Sequence, residues 1–451
     1  MNKKYLKICL GMFLMLSLVG CNFSKKPANV NVDKNTNGSS EQRENAGNDF
    51  VEEDTDLQGD KEGDTEGDAL NSGAEADGKK AENPTSQEKD TAQLGDGKIE
   101  QQIEEWIATH SIQEKVAQMF MITPEALTGY AQVTTAETAT KDNIDKYPVG
   151  GIIYFKQNLI DPEQTTTMLN QTKKYYQAAG YATPFLMVDE EGGLVARIAS
   201  NPNFGVNNFP PMSEIGATKD ASKASEVGST IGAYLSALGF NMNSAPDADV
   251  LSNASNTVIG NRSFGSDETL VSEMILAESN ALQKEGVISI IKHFPGHGAT
   301  VGDSHEGYAY TDKTIDELLD CELIPFIDAI EDGIQVIMVG HISVPNVTGD
   351  DLPSSLSKHM ITEVLRGQLQ YDGLIMTDAM NMGAITEKYS ASTAAVMAID
   401  AGNDIVLMPS NFQTAYAGVL DAVASGNLSE ERINESVRRI LRVKFGMDEG
   451  L

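Results

Sequence analysis

Eight short, almost wholly apolar runs, separated for the most part by stretches of helical spacing, predict a (β/α)8 TIM barrel over residues 97–451 of this 451-residue chain. Two further observations favour that α/β class over its runner-up, an open doubly wound sheet. No glycine-rich phosphate loop follows the first run, and the chain finishes in a basic amphipathic stretch, Glu430–Phe445, suited to closing a barrel.

From the start of the chain, residues 1–20 read as a signal peptide. Lys3, Lys4 and Lys7 precede an apolar run, Ile8 to Val19, that is short for a bilayer span. The run ends in Leu18-Val19-Gly20-Cys21, which resembles a bacterial lipobox, so Cys21 is expected to carry a lipid. The mature protein is then extracytoplasmic and anchored to the cell membrane. Cys9 leaves with the signal and Cys21 is acylated, which leaves Cys321 alone and no disulfide in a mature monomer.

Residues 21–96 read as a disordered acidic tether behind the lipidated cysteine. Between Glu41 and Asp90 there are seventeen Asp or Glu against five Lys or Arg, with few large apolar residues. Such a segment buries too little to offset the entropy of ordering. As a flexible coil of roughly 75 residues it spans about 45–50 Å. The formal charge of −33 argues against nucleic acid as a partner.

Within the folded part, Ile103, Trp106 and Ile107 have helical spacing, and Ser111 with Glu114 forms a capping box for the next helix. The eight expected strands are Gln118–Ile122, Gly150–Phe155, Pro184–Asp189, Asn241–Ala245, Val287–His293, Gln335–Gly340, Gly373–Asp378 and Asp404–Met408. Asp161-Pro162 is an N-cap followed by proline at the first helical position. Asp267–Glu285, Thr314–Asp332 and Ser354–Leu369 carry apolar residues at i, i+3 and i+4, so each is expected to be a helix.

A barrel of this kind places its chemistry at the carboxyl ends of its strands. Strand three ends in Asp189-Glu190-Glu191-Gly192-Gly193, strand five in Lys292-His293, strand six in Gly340-His341 and strand seven in Thr377-Asp378. The stretch Ile291–His305 stands out, because it holds three of the six histidines (His293, His297, His305) beside Pro295, Gly296 and Gly298. His293 and His297 have the i, i+4 spacing of a zinc-binding helix, but the proline and glycines forbid that helix. Carboxylates, a lysine, an arginine and histidines round a concave mouth suit hydrolysis of a polar, neutral molecule such as a sugar.

The stretch K-H-F-P-G-H-G-x-T-x-x-D-S-H at 292–305 is very similar to the signature of glycoside hydrolase family 3 β-N-acetylhexosaminidases. V-D-E-E-G-G-L-V-A-R at 188–197, I-G-N-R-S-F-G-S-D at 259–267 and T-D-A-M-N-M-G-A-I at 377–385 extend the resemblance along nearly all of 97–451. It implies a retaining exo-glycosidase that removes terminal β-linked N-acetylglucosamine, for instance from peptidoglycan fragments, with no metal or organic cofactor. It makes Asp378 the nucleophile, His305 the acid/base and Asp303 the partner of that imidazole. It makes Asp189, Arg197, Arg262, Lys292 and His293 sugar-binding residues. The family more often has glutamine at position 190, so Glu190 or Glu191 is the alternative proton donor. A β-glucosidase or β-xylosidase, and a sugar-binding lipoprotein without turnover, are the alternative functions.

Overall fold

The computed structural model describes residues 86–302 and 309–449, all within one compact unit, Ala81–Leu451. The expected signal peptide, Cys21 and most of the acidic tether therefore lie outside the described residues, as do Asp303 and His305.

Eight strands form one sheet: β1 Phe120–Ile122, β2 Gly151–Ile153, β3 Phe185–Val188, β4 Met242–Asn243, β5 Ile288–Phe294, β6 Val336–Val339, β7 Leu374–Thr377 and β8 Val406–Leu407. Seven fall inside the runs read from the sequence, and β5 runs one residue past its run, to Phe294. Their order is β7-β6-β5-β4-β3-β2-β1-β8, with every neighbouring pair parallel. A parallel bridge between Met376 and Ile405 joins the two ends of that order, so the sheet closes on itself. All eight strands are buried along their whole length, which is why they read as continuous apolar runs and not as alternating ones.

Helices follow the strands as a barrel requires: Pro162–Ala179 after β2, Ala221–Leu238 after β3, Glu268–Lys284 after β4, Ala391–Ala401 after β7 and Phe412–Ser425 after β8. The Ser111–Glu114 capping box and the Asp161 cap are both formed. Helices Ala221–Leu238 and Glu268–Lys284 touch backbone to backbone at Gly228, where a Cβ would stand 2.3 Å from the Glu278 carbonyl oxygen. Only glycine permits that approach.

Three elements differ from the reading of the sequence. Thr314–Asp332 is two helices, Ile315–Leu319 and Ile324–Asp332, because Pro325 has no N–H to offer the Cys321 carbonyl. Ser354–Leu369 is a single turn, Ser354–Leu356, and then a helix, His359–Gln368, separated by an extended Ser357. The Ser354 hydroxyl, bonded to the Ile342 carbonyl, ties that turn to the barrel instead. The first helix spans Ser86–Thr109, so it begins before the Gly97 boundary. Pro84 is the last proline before it, and Gln87, Glu88, Lys89, Ala92, Gln93 and Leu94 favour a helix although Gly95 and Gly97 do not.

That first helix lies along the last one, Glu430–Glu449, with Ile103 and Trp106 buried and Arg438–Glu104 and Arg442–Glu100 ion pairs at 2.7 Å on the rim. Together they cover the amino-terminal end of the barrel. Lys444 enters there and donates to Gln118 Oε1 at 2.8 Å, with its ammonium 5.0 Å from the Phe185 ring centre. No helix among the described residues is long and apolar enough to cross a membrane.

Candidate active site at the carboxyl end of the barrel

Asp189 is the first residue past β3, and the chain then turns back through a small hairpin, Glu190–Gly192 against Val195–Ala196. Glu190 holds this turn together. Its carboxyl accepts the backbone N–H of Arg197, Ile198 and Ala199 at 2.5–2.8 Å and the Tyr234 hydroxyl at 2.8 Å. The Asn243 side chain, on β4, clamps the Glu190 backbone from the other side. These bonds bring Arg197 back over Asp189, to which it donates at 3.2 Å, with its guanidinium above the Phe155 ring.

Glu191 points into the barrel mouth, where two cations meet it. Arg262 forms a bidentate pair with it at 2.9 Å through Nε and Nη2, and Lys292 Nζ lies 2.5 Å away. Burial alone would raise this carboxyl, but the two cations outweigh it and hold Glu191 well below the ordinary carboxylate range. Lys292 also donates to Ser244 Oγ at 3.1 Å. Burial raises the Glu190 carboxyl above the ordinary value in spite of its donors. Glu190 is spent on four donors, and Glu191 is held ionised by Arg262 and Lys292.

The segment after β4 supplies Asp247 and Asp249, both fully buried. Asp249 Oδ1 accepts the backbone N–H of His293 and of His297, at 3.3 and 2.5 Å, and Oδ2 lies 2.7 Å from His293 Nδ1. Burial, and then the neighbouring Arg262, push His293 down to about 4, so this imidazole is neutral at physiological pH. Asp247 Oδ1 accepts the Asp249 N–H, and its Oδ2 lies 3.5 Å from Arg262. Burial and the adjacent Asp249 raise Asp247 well above the ordinary range, and burial raises Asp249 as well.

Asp247, Asp249 and His293 offer oxygen and nitrogen atoms within 4.8 Å of one another, close enough to hold a metal ion. The bonds they make suit a hydrogen-bonded trio better. Asp249 is taken by three N–H groups, and a cation there would stand beside the fixed charge of Arg262. His297 likewise has Nδ1 on the Thr300 hydroxyl at 2.9 Å. Its loop presses hard on the barrel, since a Cβ on Gly298 would meet the Val250 carbonyl at 2.1 Å.

Asp378 follows β7 and is partly exposed at the mouth. It accepts the Ala379 N–H at 2.7 Å. Burial raises its carboxyl, but His341, His293, that N–H and Lys292 together bring it below the ordinary value. His341 is a holder: it bonds the Ser355 hydroxyl and the Ala379 carbonyl, at 2.7 and 3.0 Å, and so fixes the turn beside Asp378. An ionised, partly exposed carboxylate near an ammonium can act as a nucleophile.

Asp189, Arg197, Arg262, Lys292, His293 and Asp378 thus converge on one end of the barrel, while Asp303 and His305 lie outside the described residues. Asp247, Asp249 and Ser244 escaped the reading of the sequence. Their signal was N-S-A-P-D-A-D-V at 243–250, polar residues and a proline directly after an apolar run.

Residues 111–443 match the model of the glycosyl hydrolase family 3 N terminal domain. Beta-hexosaminidase A of Pseudoalteromonas piscicida is 34% identical over 343 residues, 70% of this chain and 56% of that protein. Beta-hexosaminidase LpqI of Mycobacterium tuberculosis is 32% identical over 312 residues, 67% of this chain and 77% of that protein. Among solved structures, a glycoside hydrolase family 3 β-N-acetylglucosaminidase from Paenibacillus sp. str. FPU-7 superposes with a TM-score of 0.70 at 35% identity, over 75% of this chain and 64% of that one. The chain thus spans little more than half of the first of these relatives and under two thirds of the Paenibacillus protein. With a match along most of its length and the strand-end residues gathered at one mouth, the chain belongs to glycosyl hydrolase family 3.

Proposed function

We propose that the protein is a retaining exo-β-N-acetylglucosaminidase acting on terminal β-linked N-acetylglucosamine, with peptidoglycan fragments as its natural substrates. The observation that carries this reading is Asp378, ionised at the end of β7 beside Lys292 and His293. The hexosaminidase names of the relatives and the four sequence motifs support the choice of sugar. In this reading an Asp378 oxygen attacks the anomeric carbon as the glycosidic C–O bond breaks, and His305 gives its proton to the departing oxygen. His305 then takes a proton from water, whose oxygen displaces Asp378 and restores the anomeric configuration. Asp303 steadies the imidazolium between the two steps. Asp189, Arg197, Lys292 and His293 bind the ring hydroxyls, and Arg262 acts beside them. The roles of Asp303 and His305 rest on the 292–305 motif.

Turnover of p-nitrophenyl N-acetylglucosaminide, glucoside and xyloside, measured side by side, tests the substrate. Faster cleavage of glucoside or xyloside would overturn it. His305→Ala is expected to lose about 10²–10⁴-fold on natural disaccharides and far less on a nitrophenolate leaving group, which departs unprotonated. An equal loss on both would remove His305 from the acid role.

The same reading places the protein on the outer face of the membrane through Cys21. Cys21→Ser is expected to release it from membranes or leave it unprocessed. Normal processing and membrane fractionation of that variant would defeat the anchor.

A further inference from the structure

We propose that Asp249 is a positioning residue that fixes the tautomer of His293, so that Nε2 faces the barrel mouth as a hydrogen-bond acceptor and demands a hydroxyl donor from the substrate. This rests on the glycosidase reading for the identity of the donor, but not for the tautomer.

The geometry is specific. Asp249 Oδ1 is committed to two backbone N–H groups, of His293 and His297, and can only accept there. Oδ2 is left for His293 Nδ1, 2.7 Å away. Those two backbone N–H groups favour the ionised form of Asp249, which accepts from Nδ1 as well. An imidazole whose Nδ1 carries the proton must present Nε2 as a lone pair. Lys292 and Arg262 stand beside the ring and oppose a second proton. Among the described residues His293 Nε2 makes no hydrogen bond, although the side chain is not sealed off, being 9% exposed. Two of the charged groups round it, Lys292 and Arg262, are donors that cannot satisfy a substrate hydroxyl's proton. A neutral acceptor fixed in one tautomer adds selectivity, because a substrate lacking that hydroxyl leaves it unsatisfied.

Asp249→Asn inverts the tautomer with little disturbance. The amide oxygen can keep both backbone N–H bonds, while the amide NH2, now facing Nδ1, drives the ring proton to Nε2. Two measurements follow. In spectra of 15N-histidine-labelled full-length protein, with His293 assigned by difference from His293→Gln, Nε2 is expected to be the pyridine-type nitrogen. In Asp249→Asn it should become the protonated one. On the p-nitrophenyl N-acetylglucosaminide, Asp249→Asn is expected to lose about 5- to 150-fold in kcat/KM, the range for a donor forced to face a donor. On one of the 3-, 4- or 6-deoxy analogues the gap between wild type and variant should close to within about twofold, since the hydroxyl in question is gone. Wild-type protein with its proton on Nε2 would overturn the proposal, and so would an equal loss on every analogue. The wild-type spectrum decides the tautomer even if Asp249→Asn fails to fold. It also decides it if the protein cleaves some other sugar, which would sink only the substrate assignment.

Discussion

The two ends of the barrel hold similar sets of buried charged side chains and leave them in opposite states. At the amino-terminal end, Asp404 is fully buried just before β8 and is satisfied on every side. Arg366 lies 2.6 Å and Arg439 3.3 Å away, and the Ser436 hydroxyl and the Ile375 N–H donate at 2.6 and 3.0 Å. Arg432, on the closing helix, bonds the carbonyls of Ile399 and Asn403 beside it. At the carboxyl end, Glu191, Asp247, Asp249 and Asp378 crowd round Lys292 and Arg262. Among the described residues, Asp247 Oδ2 and both carboxyl oxygens of nearby Glu278 find no hydrogen-bond partner. The same residue types serve both ends. A saturated cluster locks the last helix to the barrel, and an unsaturated one keeps capacity for a ligand.

Two substitutions break this contrast most directly. Asp378→Asn is expected to lower kcat on the order of 10⁴-fold or more, as loss of a nucleophile does, with little change in melting temperature. Asp404→Asn is expected to do the reverse. It leaves Arg366 and Arg439 short of charge in a buried place, at a cost of about 3–5 kcal/mol in urea unfolding, while the folded fraction keeps its kcat and KM. A stable Asp404→Asn protein with lowered kcat would dissolve the distinction between the two ends.

The sequence carried the barrel because its strands are buried on both faces. Runs such as Leu186-Met187-Val188 and Leu374-Ile375-Met376 have no polar alternation to confuse them with surface strands. It carried Asp378 and Lys292 for a related reason, since a charge placed straight after such a run has nowhere to go but the mouth. What it hid was pairing. Nothing local distinguishes Glu190, which ties a hairpin, from Glu191 next to it, which binds two cations, because their partners lie up to 101 residues away (292 − 191). The Asp247–Asp249 clamp on His293 is equally non-local, and so is the seat of Lys444, whose partner Gln118 stands 326 residues earlier.

Lys444 sharpens the comparison through pH. Burial depresses its ammonium to about 7 from the ordinary 10.5. Between those values the unfolded chain holds a proton that the folded protein has released, so this group's contribution to stability rises with pH across the window and is lost as pH falls to about 7. Lys444→Met removes the dependence. Urea unfolding of wild type against variant at pH 6 and pH 9 should show a difference in slope on the order of a few kcal/mol, with the variant gaining most at pH 6. Identical pH profiles would mean that Lys444 stays protonated in its seat.

The smallest effect is expected at Glu278, and it tests whether the unsaturated end is acidic by protonation or by charge. Glu278 sits in the helix Glu268–Lys284, fully buried, with the Gly228 backbone against its own. Burial comes first, then the negative charges of Glu191 and Asp247, and together they raise its carboxyl well above the ordinary 4.5. The folded protein therefore keeps a proton that the unfolded chain releases above about 4.5, and this group's contribution to stability falls as pH rises beyond that point. Glutamine has the same shape and is permanently neutral. Glu278→Gln should accordingly match wild type near pH 4, exceed it in melting temperature at pH 8, and leave kcat and KM within about twofold, because shape and neutral charge are both kept. The opposite pattern, with Glu278→Gln weaker at pH 8 and slower on substrate, would mean that Glu278 is ionised and helps to hold Lys292. The mouth would then be saturated in the same manner as the end that Asp404 closes.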